Sequence, residues 1–587
     1  MAAPDTNGAR ADDGSLTPAE RELAAHWREQ LGPVSIDADS DFFALGGTSL
    51  AAAKLVSVLR AEHPAIAVAD IYNHRTLREL AERLRSIGAI DTTSELELSP
   101  GPMRRLGLMQ LLGVFVLFGV QSVPWLLGAL AYGDIADIGT PHVGWLWLGV
   151  AWVVLASPPA RIGLQLVCTR VLLRDLRPGR YSRYSSLAAR LWFVDRLAEV
   201  TRFNRLGGTP WADRYARLVG ADVGKGARLA TVPPAGSLLR IGDGATVESN
   251  VDLRGWWIDG QELVVGEIKI GAGARIGSRV LLNPGAVVGD GAEIEMGAVI
   301  SGEVPAGERW GGAPARRTGS AGDNWPAEAP KTSGAGGWAW LFGASIVLEL
   351  VIELAAFAPA IGLLALLGSE VPTLQSSFLS ILFEAAIVTA ITVPMTAILI
   401  ALTLRLVWRF VKPGWYDEHS PVGWALWFGE ELRQSSSTLL FPLYASMYTR
   451  PWFRLMGLKI GRGTEISVTT GLNPLVTFGE LSQCTDDIGF CGVRSRDGWI
   501  AVEPIEIGDH TFLGPGSILR GGTRLGNDSL LGVMTLSPRR PADGTSWLGA
   551  PALELPRVPD AIDPSRTLNP PRRLKLARAA MDLLRLV

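Results

Sequence analysis

Four positions carry side chains whose type and setting suit group transfer: Ser49, the adjacent pair Asp486 and Asp487, and His510. Ser49 lies in the run DFFALGGTSL, Asp41 to Leu50. Gly46 and Gly47 let the backbone bend sharply, and Thr48 or Ser49 would then cap the helix that AAAKLVSVLR (Ala51 to Arg60) predicts. A serine so placed is open to a modifying enzyme, and the oriented N–H groups and positive dipole end of the helix tolerate a phosphodiester. Asp486 and Asp487, in SQCTDDIGF, can bind the ammonium of an amine substrate or receive its proton. A histidine side chain exchanges protons readily near neutral pH, so His510, in IGDHTF, suits the same transfer. Each also has a plainer reading, as solvated turn aspartates and a lone surface histidine. Cys484 falls six residues after Phe478, a core position, and should point inward rather than serve as a nucleophile. Glu480, Glu503 and Glu506 add negative charge that would suit a basic substrate.

The elements that must hold these residues differ along the chain. Its 587 residues call for several domains, and 48 % hydrophobic content with a mean hydropathy of +0.22 points to membrane. A net charge of −3 and no basic low-complexity tail argue against nucleic acid as a partner. Cys168, Cys484 and Cys491 have no metal-ligand spacing and are too few for a disulfide framework, so no metal is expected. The acidic, polar N-terminus has no signal-peptide core, which keeps the first domain in the cytoplasm.

Leu106 to Tyr132 and Val143 to about Leu173, the latter broken by Pro158, Pro159 and Arg161, are long enough to cross a bilayer core of about 30 Å. Trp338 to Leu367 and Phe378 to Leu404 form a second pair, giving four transmembrane helices in two hairpins. The joining loops YGDIADIGTPH and GSEVPTLQ lack lysine and arginine, whereas the outer ends carry Arg104, Arg105, Arg170, Arg174, Arg177, Arg405, Arg409 and Lys412. The positive-inside rule places both loops outside and the soluble parts in the cytoplasm of a bacterial membrane protein. Arg161, Glu349, Glu353 and Glu384 fall within the spans and read either as a packing ion-pair set or as an acidic route for a cationic product.

Between and after the hairpins an aliphatic residue recurs every six positions: Ile270, Ile276, Leu282, Val288 and Ile294, then Ile507, Leu513, Leu519, Leu525 and Leu531. This period winds the backbone into triangular coils with apolar residues stacked inward. The two copies match at constant offset: Gly224 and Gly461, Gly242 and Gly479, Gly271 and Gly508, and Pro314 and Pro551 each lie 237 residues apart. RPGRY at Arg177 echoes KPGWY at Lys412, and WGGAPA at Trp310 echoes WLGAPA at Trp547. The unit, a membrane hairpin, a helical lead-in and a β-helix, is therefore duplicated. The first copy lacks the aspartate pair and the histidine but keeps Glu248, Asp252 and Asp259, and its Trp256 and Trp257 can pack on a membrane neighbour or a pantetheine arm; it reads as the more structural copy.

The segment from about Thr17 to Ser86 resembles the thiolation, or peptidyl carrier, domains of nonribosomal peptide synthetases, with LTPAERELAAHWREQLG as first helix, DIYNH as a short turn and LRELAERLRS closing a four-helix bundle. The resemblance implies that Ser49 accepts 4′-phosphopantetheine from a phosphopantetheinyl transferase and that its thiol holds an aminoacyl or peptidyl thioester. The repeats resemble hexapeptide acyltransferases, which have left-handed parallel β-helices, often use a coil histidine as base and commonly form trimers. The order of modules resembles the part of the ε-poly-lysine synthetase family that follows its adenylation domain. That implies an amino-acid homopolymer or short peptide made from a free amino-acid acceptor, with loading by a separate adenylation enzyme. Two departures stand out: no adenylation domain precedes Met1, and the family has three units where this chain has two, a gap that a third-unit partner or self-association would close.

The expected layout is a disordered 1–16, a carrier domain at 17–86, a linker at 87–104, a first hairpin at 105–174 and a first lead-in with β-helix at 175–318. A linker at 319–337, a second hairpin at 338–408, a second lead-in with β-helix at 409–557 and a basic amphipathic tail or third-hairpin start at 558–587 complete it. Two rival functions remain open, a carrier-dependent O- or N-acyltransferase acting on a saccharide or lipid, and a non-catalytic membrane scaffold that docks a carrier.

Overall fold

A computed structural model describes residues 16–47, 49–60, 62–63, 66, 68–87, 100–136, 143–326, 328, 330, 336–367, 378–444, 446–556 and 570–584. The chain divides into two compact units, Met1–Leu98 and Ser99–Val587.

The first unit is a bundle of four helices: α1 (Pro18–Leu31), α2 (Ser49–Leu59), α3 (Val68–Asn73) and α4 (Leu77–Ile87). Thr17 starts α1 with a capping box, its side chain accepting from Glu20 N while Glu20 Oε2 accepts from Thr17 N at 2.7 Å. Leu23, Trp27, Leu55, Ile71 and Leu80 fill the core, with Phe42 edge-on to Trp27 at 5.0 Å. The expected DIYNH turn is instead the helix α3, because Ile71 buries its side chain completely and its helical spacing satisfies the core.

In the second unit, α5 (Pro100–Ala136) begins inside the expected 87–104 linker and reaches across the first apolar run. A bent pair follows, Trp145–Ala156 and Pro158–Leu172, meeting at 43° where Ser157 caps the second helix ahead of Pro158. Two helices, Met103–Ala131 and Leu382–Phe410, are long and apolar enough to cross a membrane, and the bent pair makes up to three. The expected third span is two shorter helices, α10 (Gly336–Ala355) and α11 (Ala358–Leu366), with Pro359 in the first turn of the second. Leu108, Phe115, Phe118 and Trp125 on the first long helix, and Leu382, Phe383 and Leu402 on the second, stand exposed, which suits a lipid surround.

Each apolar segment leads into a β-helix built from parallel strands. Ile276 pairs with Ile294 in parallel, so one coil takes 18 residues, three hexapeptides. Ile270, Ile276, Leu282, Val288 and Ile294 are all at most 3 % exposed and stack in one core; Ile507, Leu513, Leu519, Leu525 and Leu531, at most 4 % exposed, do the same in the second copy. The coil from Cys484 to Leu513 is longer, 29 residues, because it carries a hairpin, Val493–Arg496 with Trp499–Val502. The first copy has the equivalent hairpin, Trp256–Asp259 with Glu262–Val265. In both copies a strand before the β-helix pairs antiparallel with the hairpin, Gly179–Ser182 in one and Gly414–Asp417 in the other. Lead-in, hairpin and coil are thus repeated as one module.

The copies meet head to tail. The second copy's hairpin reaches the first copy's coil face, where Ser495 N donates to Glu248 Oε1 (2.8 Å) and Ser495 O accepts from Arg275 Nε (3.1 Å). Met296 of the first copy packs with Cys491, Ile518 and Leu536 of the second. The C-terminal helix Arg572–Leu584 docks on the second copy through Arg578, which pairs with Glu465 at 2.7 Å, and Asp582, which accepts from Met447 N at 2.8 Å.

Candidate functional site

The turn before α2 is rigidly held. Asp41 Oδ1 accepts from Phe43 N (2.8 Å) and Ala44 N (3.0 Å), and its other oxygen pairs with Arg75 at 3.1 Å. Arg75 lies over the Phe43 ring, which stacks on Tyr72 at 4.5 Å. Gly46 has φ +95°, and a Cβ at Gly47 would lie 2.5 Å from the Phe42 carbonyl oxygen, so both glycines are required where they stand. Ser49 is the first helical residue of α2, and both Thr48 and the Ser49 side chain lie outside the described residues. The first turn of α2 holds no acidic residue, and its leading N–H groups lack intrahelical acceptors. That setting fits a phosphodiester on Ser49.

The other candidates sit on two different corners of the second β-helix. Asp486 and Asp487 turn the chain from the Gln483–Cys484 strand to Ile488–Cys491, whereas His510 lies before Phe512–Leu513 on the preceding corner. Asp486 accepts from Ser467 Oγ. Asp487 Oδ1 accepts from Arg279 of the first copy at 2.6 Å, and the same guanidinium donates to Thr470 Oγ1 at 3.0 Å. Asp487, with φ +59°, and His510, with φ +53°, both occupy left-handed turn positions, as do Asn250 and Gly273 at the matching places in the first copy. His510 Nδ1 stands 3.8 Å from Asp528 Oδ1. The structure therefore keeps the aspartate pair together and His510 apart from it, and gives Asp487 a part in joining the copies. Cys484 is buried, and burial followed by the nearby Asp486 pushes its thiol well above the usual range, as expected of an inert core cysteine.

The junction also holds a charge network that sequence reading missed as a unit. Arg275, buried, donates to Glu248 and to Glu293 (3.0 Å), and Arg496 from the second copy pairs with Glu293 at 3.3 Å. Ser278 N and Oγ donate to Glu248 Oε2 at 2.9 and 2.8 Å, and Trp325 closes the network over Arg275 at 5.2 Å. Burial opposes the Arg275 charge, but the two glutamates outweigh it and hold its pKa up. Among the in-span acids, Glu349 pairs with Arg205 at 3.1 Å, the packing reading of that residue; Arg205 also pairs with Glu431 at 2.8 Å. The Glu353 side chain lies outside the described residues, and Glu384 is half-buried.

A cavity of about 400 Å³ opens in the first copy between helix α8 (Ser186–Thr201), the hairpin and the Asn283–Pro284 turn. Asp195, Asp252, Arg254 and Asn283 line it among Trp192, Trp256 and other apolar walls. Asp252, Trp256 and Trp257 were legible as candidates, but Asp195 and Asn283 were not, since nothing local in ARLWFVDRL or VLLNPGA marks them as neighbours. Among the described residues no group of three or more His, Cys, Asp or Glu is arranged to hold a metal.

Comparison with known proteins bears on both halves of this geometry. Residues 21–84 match the family model "Phosphopantetheine attachment site", and 267–301 and 504–532 match "Hexapeptide repeat of succinyl-transferase". The chain thus joins a phosphopantetheine-attachment segment to two hexapeptide-repeat segments. Its carrier domain takes 4′-phosphopantetheine as a covalent cofactor. The chain is 28 % identical over 614 aligned residues to the delta-poly-L-ornithine synthetase of Acinetobacter baumannii, covering 98 % of this chain and 45 % of that protein. Its carrier segment is 45 % identical over 82 residues to nonribosomal peptide synthetase 1 of Ajellomyces capsulatus, 14 % of this chain and 4 % of that protein. The chain thus spans less than half the length of these relatives. A hexapeptide-repeat acetyltransferase from Vibrio cholerae overlaps 22 % of the chain and 93 % of its own, at 18 % identity and a TM-score of 0.19. The coil geometry itself, rather than that overlap, defines the β-helices.

Proposed function

We propose that the chain is a membrane-embedded synthetase component that carries an activated amino acid at Ser49 and forms amide or isopeptide bonds in an amino-acid homopolymer or short peptide. What supports this reading is the similarity to the Acinetobacter baumannii protein over 98 % of this chain, which takes in carrier, apolar helices and both hexapeptide units. That protein's name makes a basic amino acid the favoured monomer here. Bound to the carrier, phosphopantetheine supplies a thiol on a mobile arm; Ser49 anchors it, and the Asp41–Arg75 lock keeps the anchoring turn in place for the enzymes that visit it. Ser49→Ala in the full chain, incubated with a phosphopantetheinyl transferase, an adenylation enzyme and candidate amino acids, tests the reading: it should take no mass increment and give no polymer, and polymer formation by that variant would overturn it.

Four spans, a cytoplasmic N-terminus and cytoplasmic β-helices complete the proposal, supported by two long apolar helices, a bent pair and basic outer ends. The Asp486–Asp487 pair and, on another corner, His510 are proposed proton acceptors that act separately. The partners are a loading adenylation enzyme, a phosphopantetheinyl transferase and a third hexapeptide unit. The unfilled halves of the head-to-tail junction support the last. Val533 and Met534, which match Met296 and Gly297 of the first copy, are 56 % and 73 % exposed, and Trp257 and Ile258 match the docked hairpin yet stand exposed. The hexapeptide match favours a second reading, acyl transfer to a saccharide or lipid. Repeated aminoacyl increments in the product mass would exclude it.

A further inference from the structure

The cavity beside helix α8 is lined for one kind of ligand. Arg254 is committed to Asp252, donating from Nε at 3.0 Å and from Nη2 at 2.7 Å, and reaches Asp195 only at 3.7 Å. Two carboxylates and one guanidinium leave one negative charge in excess, and Asp195, 17 % exposed, holds most of it without a close donor. Burial pushes the Asp195 carboxyl up to about 6, with Arg254 opposing. On the facing turn Asn283, 8 % exposed, donates from Nδ2 to Ser301 Oγ at 2.6 Å, while its buried Oδ1 accepts from no group among the described residues. An under-paired carboxylate and an unpaired carbonyl-type acceptor both call for a donor. The walls supply apolar surface and indole rings from Trp192 and Trp256, which suit an aliphatic stem ending in a cation.

We propose that this cavity binds the acceptor substrate through a primary ammonium group on an aliphatic stem, with Asp195 and Asn283 as its hydrogen-bond acceptors and Asp252 kept in place by Arg254. A pantetheine arm fits less well, because its amide and hydroxyl groups bring no charge to offset Asp195. The assignment places the acceptor in the first copy, which its lack of a histidine had marked as structural. The second copy is built differently at the same place: Glu430, on the matching turn of helix α13 (Pro421–Leu439), is already held by Arg433 at 2.7 Å and by Gly471 N at 3.0 Å. Arg520 stands where the first copy has Asn283. Two tandem copies of one fold would then divide the work, one holding the acceptor and the other contributing structure at this place.

The proposal rests on the synthetase reading for the identity of its ligand, but binding can be measured without turnover. Calorimetric titration of the full chain in detergent micelles with L-ornithine and with n-pentylamine should show binding, and n-pentanol should show none. Asp195→Asn and Asn283→Ser should each weaken L-ornithine binding at least tenfold with an unchanged melting transition, whereas Asp213→Asn, on another helix, should leave it unaltered. Should Asp195→Asn melt early, Asn283→Ser alone carries the test. Unchanged binding in both cavity variants, or displacement of n-pentylamine by pantetheine, overturns the assignment. Binding that survives in Ser49→Ala while no polymer forms in the wild-type assay counts against the synthetase reading and leaves the ammonium site standing.

Discussion

Arg275 keeps a full charge with its side chain 3 % exposed, which is possible only because Glu248 and Glu293 meet it from both sides. Removing the cation leaves two carboxylates desolvated at the junction of the copies. Arg275→Ala should therefore lower stability by about 3–5 kcal/mol, read as a shift in the urea midpoint of the detergent-solubilised chain. Glu431 makes a second, pH-dependent case. Burial pushes it up to about 7 although Arg205 pulls the other way, so the folded chain holds that proton more tightly than the unfolded chain does. The resulting stability is present below the ordinary carboxylate range and is lost as pH rises through about 7. A shift of this size is worth about 3 kcal/mol at most; Glu431→Gln should make the melting temperature flatter between acidic and mildly alkaline pH than in the wild type, and an equal slope in both would refute the linkage. What the sequence disclosed at this scale depended on proximity along the chain. The turn ahead of Ser49 was legible because Gly46, Gly47 and the helix that follows are contiguous. Asp195 and Asn283 were not, since a helix and a coil turn distant in sequence bring them to one cavity, and the short apolar phrases around them look like ordinary core.

At the scale of elements, the six-residue period was readable because every coil spends one aliphatic side chain per face on the same interior. Ile294 is fully buried in that stack, so Ile294→Ala should cost about 2–4 kcal/mol, whereas the same truncation at Ile258, 57 % exposed on the hairpin, should cost under about 0.5 kcal/mol in the chain as described; chemical denaturation of both variants checks the contrast. The hairpins themselves escaped notice because Trp256 to Val265 interrupts the six-residue period, although Asp259-Gly260, and Asp497-Gly498 in the second copy, are the turn signal that could have found them. The third apolar run was harder to judge for the opposite reason. Its composition passes as one span, and only Pro359 marks the place where α10 gives way to α11. The DIYNH segment misled by its brevity, six residues being enough for a helix once Ile71 is anchored in the bundle.

For the whole molecule, duplication has consequences that neither copy has alone. One head-to-tail junction is formed, through Ser495, Arg496 and Asp487 of the second copy, and each copy keeps the half that its neighbour used. Val533→Asp combined with Met534→Asp should leave the melting transition of this chain unchanged and abolish its association with a third hexapeptide unit expressed separately, as followed by light scattering in detergent. Association that survives the double substitution would place the third unit elsewhere.

The strand Gly179–Ser182 cannot find its partner until Glu262–Val265 exists, and the ion pair between Arg180 and Glu262 spans 82 residues. At roughly 5–20 residues per second on the ribosome, that wait is about 4–16 seconds. During it the first apolar helices have already left the ribosome while the clamp that ties them to the coil is still being made. The order of synthesis therefore brings the apolar helices out before their anchor in each copy, and a pause in translation ahead of residue 262 would prolong the interval in which the first of them have no β-helix to hold.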